Sequence, residues 1–246
     1  MARRLPRAYR ATPNLSEKLE NDTFVTKTAF HAQPNTIQHW QLRDLISASD
    51  TPREIYCINN KSTIRYSTET QESTVVQELS YSPTSMTCAY GFLAAGGQGG
   101  QLDVLNLKDN SRIFSASVAE NVNNSLHIGR TASNDLCLLV SNNDCTVKVY
   151  KLPELWHATS IDFPCAINYS TLSPDGRFMV CVGDCNPVYL YSTQDGYRLV
   201  NTFSEASDSG MCCAWNASGT QFATASQDGA VCVWDVRGGK LLAKLQ

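Results

Sequence analysis

The chain has 246 residues, of which 42% are hydrophobic, 9% aromatic and 17% charged, and its formal net charge is −3. Such a composition is typical of a globular protein and excludes an intrinsically disordered chain. The slightly acidic balance argues against a surface that coats nucleic acid, and no apolar stretch approaches the length of a membrane span. We therefore expect no membrane partner, and a nucleic acid partner is disfavoured.

The N-terminal residues are basic but no apolar segment follows them, so no secretion signal is expected. The sequence therefore predicts a protein of the cytoplasm, the nucleus or both. The ten cysteines are expected to be reduced thiols, because disulfide frameworks are typical of short secreted chains.

Residues 1–30 lack hydrophobic periodicity and contain two prolines and four arginines before the first acidic residue. This composition predicts a flexible basic N-terminal arm. A solvated tail is the simpler interpretation, and a nuclear-import or phosphate-contacting role stays open. The next segment, 36–47, fits neither a helical nor a strand period, and we interpret it as a short helix or an edge strand.

Beyond this segment, the chain consists of short runs rich in β-branched and aromatic residues, separated by polar turns. This pattern predicts antiparallel β-structure. One unit recurs: an apolar strand, a tight polar turn and an alternating strand. The copies read EIYCINNKSTIRYS, FLAAGGQGGQLDVLNL, LCLLVSNNDCTVKVYKL, FMVCVGDCNPVYLYST and FATASQDGAVCVWDVR. Their large residues near the end of the second strand repeat at intervals of about forty: Tyr66, Leu105, Tyr150, Tyr191 and Trp234.

A period near forty with four strands per unit predicts the blades of a β-propeller, because one small sheet cannot bury both faces by itself. The fold class is thus all-β. The predicted blades cover, approximately, residues 37–79, 80–118, 122–163, 165–203 and 208–246.

The fifth unit resembles the WD40 repeat family in the turn Ser226-Gln-Asp-Gly229 and in the closing Val233-Trp-Asp235. The resemblance implies a hydrogen-bonded set that stiffens each blade, in which a turn Asp, a strand Ser or Thr, a His and a Trp take part. A residue near Ala206 occupies the His position, so the set is expected to be incomplete. In the fifth unit the resemblance implies this structural role for Asp228, for Trp234 and for either Thr224 or Ser226. Asp144 and Asp184 fit the turn position in two other units, where Tyr150 and Tyr191 replace the Trp.

A narrower resemblance is to fungal and plant WD-repeat proteins without an assigned activity. It spans residues 39 to 237. The segments that carry it are HWQLRDLI, YGFLAAGGQGG, VNNS, NNDCTVKVY, LSPDGRFMVCVGD and FATASQDGAVCVWDVR.

Five hairpins make at most five blades, whereas the family usually closes with seven. We expect an incomplete seven-bladed ring that lacks C-terminal blades. The alternative is a closed five-bladed ring in which residues 36–47 complete the last sheet.

The search for chemistry finds neither a metal site nor a set of catalytic residues. No two histidines have ligand spacing, and there is no Cys-x-x-Cys motif. The glycine cluster of residues 96–100 is followed by a strand, so it is interpreted as a turn with positive φ angles and not as a phosphate site. Asp103 is interpreted as one of several turn aspartates. We predict no cofactor, no metal and no enzymatic activity.

Residues 222–237 resemble the box of WD-repeat receptors that dock onto cullin-based ubiquitin ligases. The resemblance implies docking through Asp228, Trp234, Asp235 and Arg237. The leading hypothesis is nevertheless a non-catalytic scaffold that binds a protein or peptide through rim loops of the propeller. The alternatives are a ligase substrate receptor, with a ligase adaptor as partner, and a propeller hydrolase or lyase.

Overall fold

The structure, a computed structural model, describes residues 29–34, 36 and 45–245. Most of the predicted N-terminal arm lies outside the described residues. The described part contains twenty strands in five antiparallel sheets of four, and in each sheet the strands follow one another in chain order. All five sheets lie in the compact unit Gln33–Gln246.

The first sheet contains β1 (Ile46–Ala48), β2 (Glu54–Asn59), β3 (Ser62–Ser67) and β4 (Ser73–Glu78). The second contains β5 (Pro83–Ala89), β6 (Phe92–Gly97), β7 (Gln101–Asn106) and β8 (Ser111–Ser117). The third contains β9 (Asn123–Arg130), β10 (Leu136–Asn142), β11 (Thr146–Lys151) and β12 (Trp156–Asp162). The fourth contains β13 (Ile167–Leu172), β14 (Phe178–Gly183), β15 (Val188–Ser192) and β16 (Arg198–Phe203). The fifth contains β17 (Gly210–Trp215), β18 (Gln221–Ser226), β19 (Val231–Asp235) and β20 (Lys240–Leu245).

The first strand of each sheet lies against the first strand of the next, from β1 through β5, β9 and β13 to β17. The sheets therefore radiate from a common inner edge, and the predicted all-β propeller with five blades is confirmed. In the part of the chain that the structure describes, the ring is open. The alternative closed ring is wrong, because Ile46 to Ala48 pair with β2 in the first sheet and not with the last sheet.

Apolar side chains fill the joints between the later sheets, because each sheet buries one face against its neighbour. Between the fourth and fifth sheets, the ring of Phe203 packs against Phe222 and Trp234 at centroid distances of 5.3 and 5.0 Å. Between the third and fourth, Phe163 packs edge-on against Tyr189 and Tyr191. Packing of this kind provides most of the cohesion of the sheets.

A β-bulge recurs at the second residue of the first strand in four sheets, at Thr84, Asn124, Asn168 and Met211. A bulge turns its side chain out of the regular alternation. Three of these side chains donate a hydrogen bond to a main-chain oxygen of the next sheet. The donor–acceptor pairs are Thr84 to Asn123 at 3.0 Å, Asn124 to Ile167 at 2.9 Å and Asn168 to Gly210 at 3.0 Å.

The glycine cluster is only partly explained by turn geometry, which corrects the expectation from sequence. Of its four glycines only Gly100, with φ at 73°, has a positive φ. Gly96 and Gly97 lie in β6. A Cβ added at Gly96 would lie 2.8 Å from the Asn123 Cβ, and one added at Gly97 would lie 2.5 Å from a ring carbon of Tyr81. These two glycines therefore make room for side chains of the neighbouring segments.

Two other expectations from sequence are also wrong. Asp103 is not a turn residue but lies buried in β7, with the Nε of Arg112 3.5 Å from its Oδ1. Not all cysteines are thiols, because Cys165 and Cys185 form a disulfide with a Cα–Cα distance of 6.1 Å. Antiparallel pairing of β13 with β14 places the two residues at the same end of the fourth sheet.

Candidate interaction surfaces

Two rims carry the connections between strands. The upper rim consists of the turns between second and third strands and the loops between sheets. Its residues are 60–61, 79–82, 98–100, 118–122, 143–145, 163–166, 184–187, 204–209 and 227–230. The lower rim consists of the remaining connections within sheets. Its residues are 49–53, 68–72, 90–91, 107–110, 131–135, 152–155, 173–177, 193–197, 216–220 and 236–239.

The residues implied in the stiffening set of the fifth sheet form two separate groups. The indole Nε1 of Trp234 donates to Thr224 Oγ1 at 2.9 Å, and both side chains are buried. Asp228 Oδ2 accepts from the amide and the hydroxyl of Ser207, at 2.9 and 2.7 Å. Ser226 instead donates to main-chain oxygens of the entering loop, including that of Asp208 at 3.0 Å.

The partner of Asp228 is Ser207, which lies next to Ala206, near the position where the resemblance implies a histidine. The hydroxyl of Ser207 donates to the Asp228 carboxylate, and the main-chain amides of Ser207 and Ala230 also donate to it. The pKa of Asp228 is therefore held well below its usual range. The carboxylate stays ionised at neutral pH and fastens the turn 227–230 to the loop 204–209.

Asp144 and Asp184 occupy different positions in their turns. Asp144 accepts from Lys148 Nζ at 2.6 Å and from the hydroxyl of Thr146. Burial alone would raise the pKa of Asp144, but these two donors outweigh it and lower the pKa. Asp184 accepts from the amide of Asn168 at 2.8 Å. Asp184 therefore connects the turn of its sheet to the bulge residue of the same sheet.

The structure does not bring the four residues of the implied docking box together. Trp234 is buried, and Asp228 lies on the upper rim. Asp235 is the last residue of β19, at the opposite end of the strand, and Arg237 follows it on the lower rim. There Asp235 Oδ1 accepts from the Arg237 amide at 3.1 Å and shapes the turn. The Arg237 side chain is exposed, and no acceptor for its guanidinium lies within reach among the described residues.

Exposed aromatic rings paired with cations lie on or beside the lower rim, and sequence reasoning missed them. Tyr90 is 50% exposed, with the Arg130 guanidinium 5.2 Å from its ring centre. Trp156 is 52% exposed and has Lys151 Nζ at 5.3 Å. Lys151 also pairs with Asp135 at 3.2 Å. Tyrosine, tryptophan and arginine are the residues that most often dominate protein interfaces.

A local signal for Tyr90 exists in the sequence. Tyr90 and Gly91 form a two-residue hairpin loop in which both φ angles are positive, at 52° and 77°. Such turns strongly favour Asn-Gly, and a tyrosine at the first position is unfavourable. The geometry of the turn therefore does not explain why a tyrosine precedes Gly91, and this unusual pair is visible in the sequence.

The described residues contain no group of three or more His, Cys, Asp or Glu side chains arranged to hold a metal ion. A search of the same residues finds no helix long and apolar enough to cross a membrane.

Residues 197–235 match the family model described as WD domain, G-beta repeat. An uncharacterized protein of Schizosaccharomyces pombe is 35% identical over 193 residues, which cover 75% of this chain and 55% of that protein. A putative BTB/POZ domain and WD-repeat protein of Acanthamoeba polyphaga mimivirus is 28% identical over 102 residues, which cover 42% of this chain and 18% of that protein. The chain thus spans about half of the first relative and under a fifth of the second.

A chain in the crystal structure of a mitotic checkpoint complex superposes with a TM-score of 0.76. The superposition covers 98% of this chain and 76% of the other, at 13% sequence identity, and this likeness shows the fold alone. The matching repeat, the WD-repeat relative and the propeller neighbour agree with the five radiating sheets. Residues 197–235 therefore match a single WD40 repeat, and the described part of the chain has the fold of a β-propeller.

Proposed function

We propose that the protein is a non-catalytic scaffold that binds a protein partner through its lower rim, around Tyr90 and Arg130. A WD40 propeller suggests a role in protein interaction. The choice of this rim depends on one observation: an exposed tyrosine is held at positive φ with a guanidinium over its ring.

The backbone of Tyr90 supports a role in binding. A left-handed conformation costs roughly 1–2 kcal/mol for a residue other than glycine or asparagine. Side chains held in such positions concentrate at binding and catalytic sites, where the surrounding structure maintains them. The turn between β5 and β6 would be more stable with asparagine, so the ring of Tyr90 is best explained by a contact outside the chain.

Two contacts position the side chain of Arg130. Its Nη1 donates to the main-chain oxygen of Asn134 at 2.9 Å, while its plane lies over Tyr90. The remaining guanidinium N–H groups point to no carboxylate within 4.0 Å among the described residues. An ordered donor loses little conformational entropy on binding. Arg130 and Tyr90 together therefore provide a polar and an aromatic contact side by side.

The test is affinity purification or proximity labelling with Tyr90→Asn in the full-length protein. Asparagine suits the turn, so the variant should fold normally and lose the partners that the wild type enriches. Val75→Asn is the matched control, because Val75 on the outer strand β4 is 54% exposed and lies outside the rim. Equal recovery by Tyr90→Asn and the wild type would reject the proposal.

The second candidate is a substrate receptor of a cullin-type ubiquitin ligase that docks through Arg237. The observation in its favour is the exposed Arg237, whose backbone is fixed by Asp235 while its guanidinium finds no acceptor among the described residues. Arginine can bind a carboxylate or carbonyl groups of an adaptor through two N–H groups. Arg237→Ala should abolish co-purification of the adaptor, and Lys240→Ala, three residues further on, should not. Unchanged recovery with Arg237→Ala would eliminate this candidate.

A further inference from the structure

In the last three sheets, the turn of the upper rim is fastened to the loop that enters the sheet, and the chemistry differs between sheets. In the third sheet, the main-chain amide of Asn143 in the turn donates to the main-chain oxygen of Val122 in the loop at 3.0 Å. In the fifth, Ser207 donates to Asp228 at 2.7 Å. Hydrogen bonds alone therefore hold this connection on either side of the fourth sheet.

The fourth sheet has a covalent bond at the same place. Cys165 lies in the entering loop 163–166, and Cys185 lies in the turn 184–187. A main-chain bond from Asp184 to Ala166, at 2.9 Å, joins the same two segments. The neighbouring sheets keep this geometry without a covalent link, so we expect the fourth sheet to keep it when the disulfide is open.

Both cysteine residues are partly exposed, and exchange with a thiol in solution requires such access. The hydroxyl of Tyr189 lies 3.4 Å from the Sγ of Cys185. Burial raises the pKa of Tyr189, so its hydroxyl keeps its proton at neutral pH and can donate to sulfur. A hydrogen bond to a thiolate stabilises it, which makes Cys185 the better leaving group.

We propose that Cys165–Cys185 is a reversible thiol–disulfide exchange site that controls how firmly the turn 184–187 is held on the upper rim. A thiolate of an external dithiol attacks Cys165 Sγ, forms a mixed disulfide and expels Cys185 as a thiolate, which then takes a proton. The second thiol of the dithiol, as its thiolate, displaces Cys165. Two protein thiols and one oxidised dithiol result, and a disulfide of the glutathione class reverses the reaction by the same steps.

The first experiment equilibrates the full-length protein in glutathione buffers of graded potential, followed by thiol alkylation and mass spectrometry. We expect a complete transition between bonded and free Cys165 and Cys185 while the protein stays folded. Hydrogen exchange should rise in the turn 184–187 on reduction and stay unchanged in the turn 227–230. A bond that never forms, or one that opens only when the protein unfolds, would overturn the proposal.

Two variants sharpen this experiment. Cys165→Ser should show fast exchange in the turn 184–187 at every potential. Cys145→Ser removes a partly exposed thiol of the same rim and should leave the transition where it is. A transition shifted or lost in Cys145→Ser would mean that another cysteine pair exchanges, and would overturn the assignment.

The second experiment tests the direction of attack. Reduction by glutathione, stopped early with an alkylating agent, should leave the glutathione adduct on Cys165 and the alkyl group on Cys185. Tyr189→Phe should slow the reduction several-fold, because the leaving thiolate loses its donor. Tyr191→Phe is the control, since this ring packs on Phe163 in the same way. Adducts on Cys185, or equal rates in the two variants, would contradict the role of Tyr189.

Discussion

The side-chain amide of Asn124 donates a hydrogen bond to the main-chain oxygen of Ile167, at 2.9 Å, across the joint between the third and fourth sheets. Ile167 is fully buried, so its oxygen depends on this protein donor. The bond is one of three that repeat at the bulges, and it fixes the spacing of two sheets at their inner edges.

Asn124→Leu should lower the free energy of unfolding by about 2 kcal/mol, because it leaves a buried carbonyl oxygen without a donor. Denaturant titration followed by tryptophan fluorescence measures the change. Asn186→Leu, at an exposed asparagine of the upper rim, is the control and should change stability by less than about 0.5 kcal/mol. Equal effects of the two substitutions would show that the bond across the joint is unimportant.

Tyr90→Asn should leave the free energy of unfolding unchanged or raise it by up to about 1 kcal/mol, because asparagine tolerates positive φ better than tyrosine does. Loss of the contact with Arg130 offsets part of the gain. Thermal and chemical denaturation both measure the difference. A loss of stability above about 1 kcal/mol would indicate that Tyr90 serves the fold instead of a partner.

Burial lowers the pKa of His127, in β9, to about 4. The unfolded chain gains a proton on this histidine near pH 6.5, whereas the folded protein does so only near pH 4. Stability should therefore fall as the pH drops from 6.5 to 4, by up to about 3 kcal/mol from this residue. His127→Gln should flatten this part of the pH profile. Identical profiles for the wild type and His127→Gln would refute the assignment.

Thr63 is buried in β3, and its hydroxyl has no hydrogen-bond partner among the described residues. Thr63→Val should raise the free energy of unfolding by about 1 kcal/mol, because it removes an unpaired buried hydroxyl. The comparison is Ser141→Ala, since the Ser141 hydroxyl is 2.7 Å from that of Ser170 and its loss should destabilise by about 1 kcal/mol. Effects of the same sign in both variants would contradict this account.

The fold could be predicted from sequence because its signal is local and repeated. Each sheet has its own strands and turns, and the period near forty is visible in the residues that end β19 and its counterparts. The hydrogen bond of Trp234 could be predicted in part, because the sequence offers Thr224 or Ser226 of the same repeat as its partner; the structure shows that Thr224 accepts it. Contacts between residues of different repeats could not be predicted from the sequence. The disulfide of Cys165 with Cys185 depends on which loop faces which turn, and spacing alone does not give this.

The burial of Asp103 shows the same limit. The sequence places an aspartate near glycines and indicates a turn, but the pairing of β7 puts the residue inside the sheet. For the candidate site the limit is different. Tyr90 lies in the turn between β5 and β6, and its significance becomes clear only from its φ angle and from the position of Arg130.

In the repeated bond at the bulges, every donor belongs to the earlier sheet and every acceptor to the later one. The fastening of the propeller therefore has a direction along the polypeptide. A lost donor weakens the single joint that follows it, and the sheets behind that joint keep their own. The loss of one of these hydrogen bonds should therefore destabilise the contact between two neighbouring sheets and leave the contacts between the other sheets unchanged.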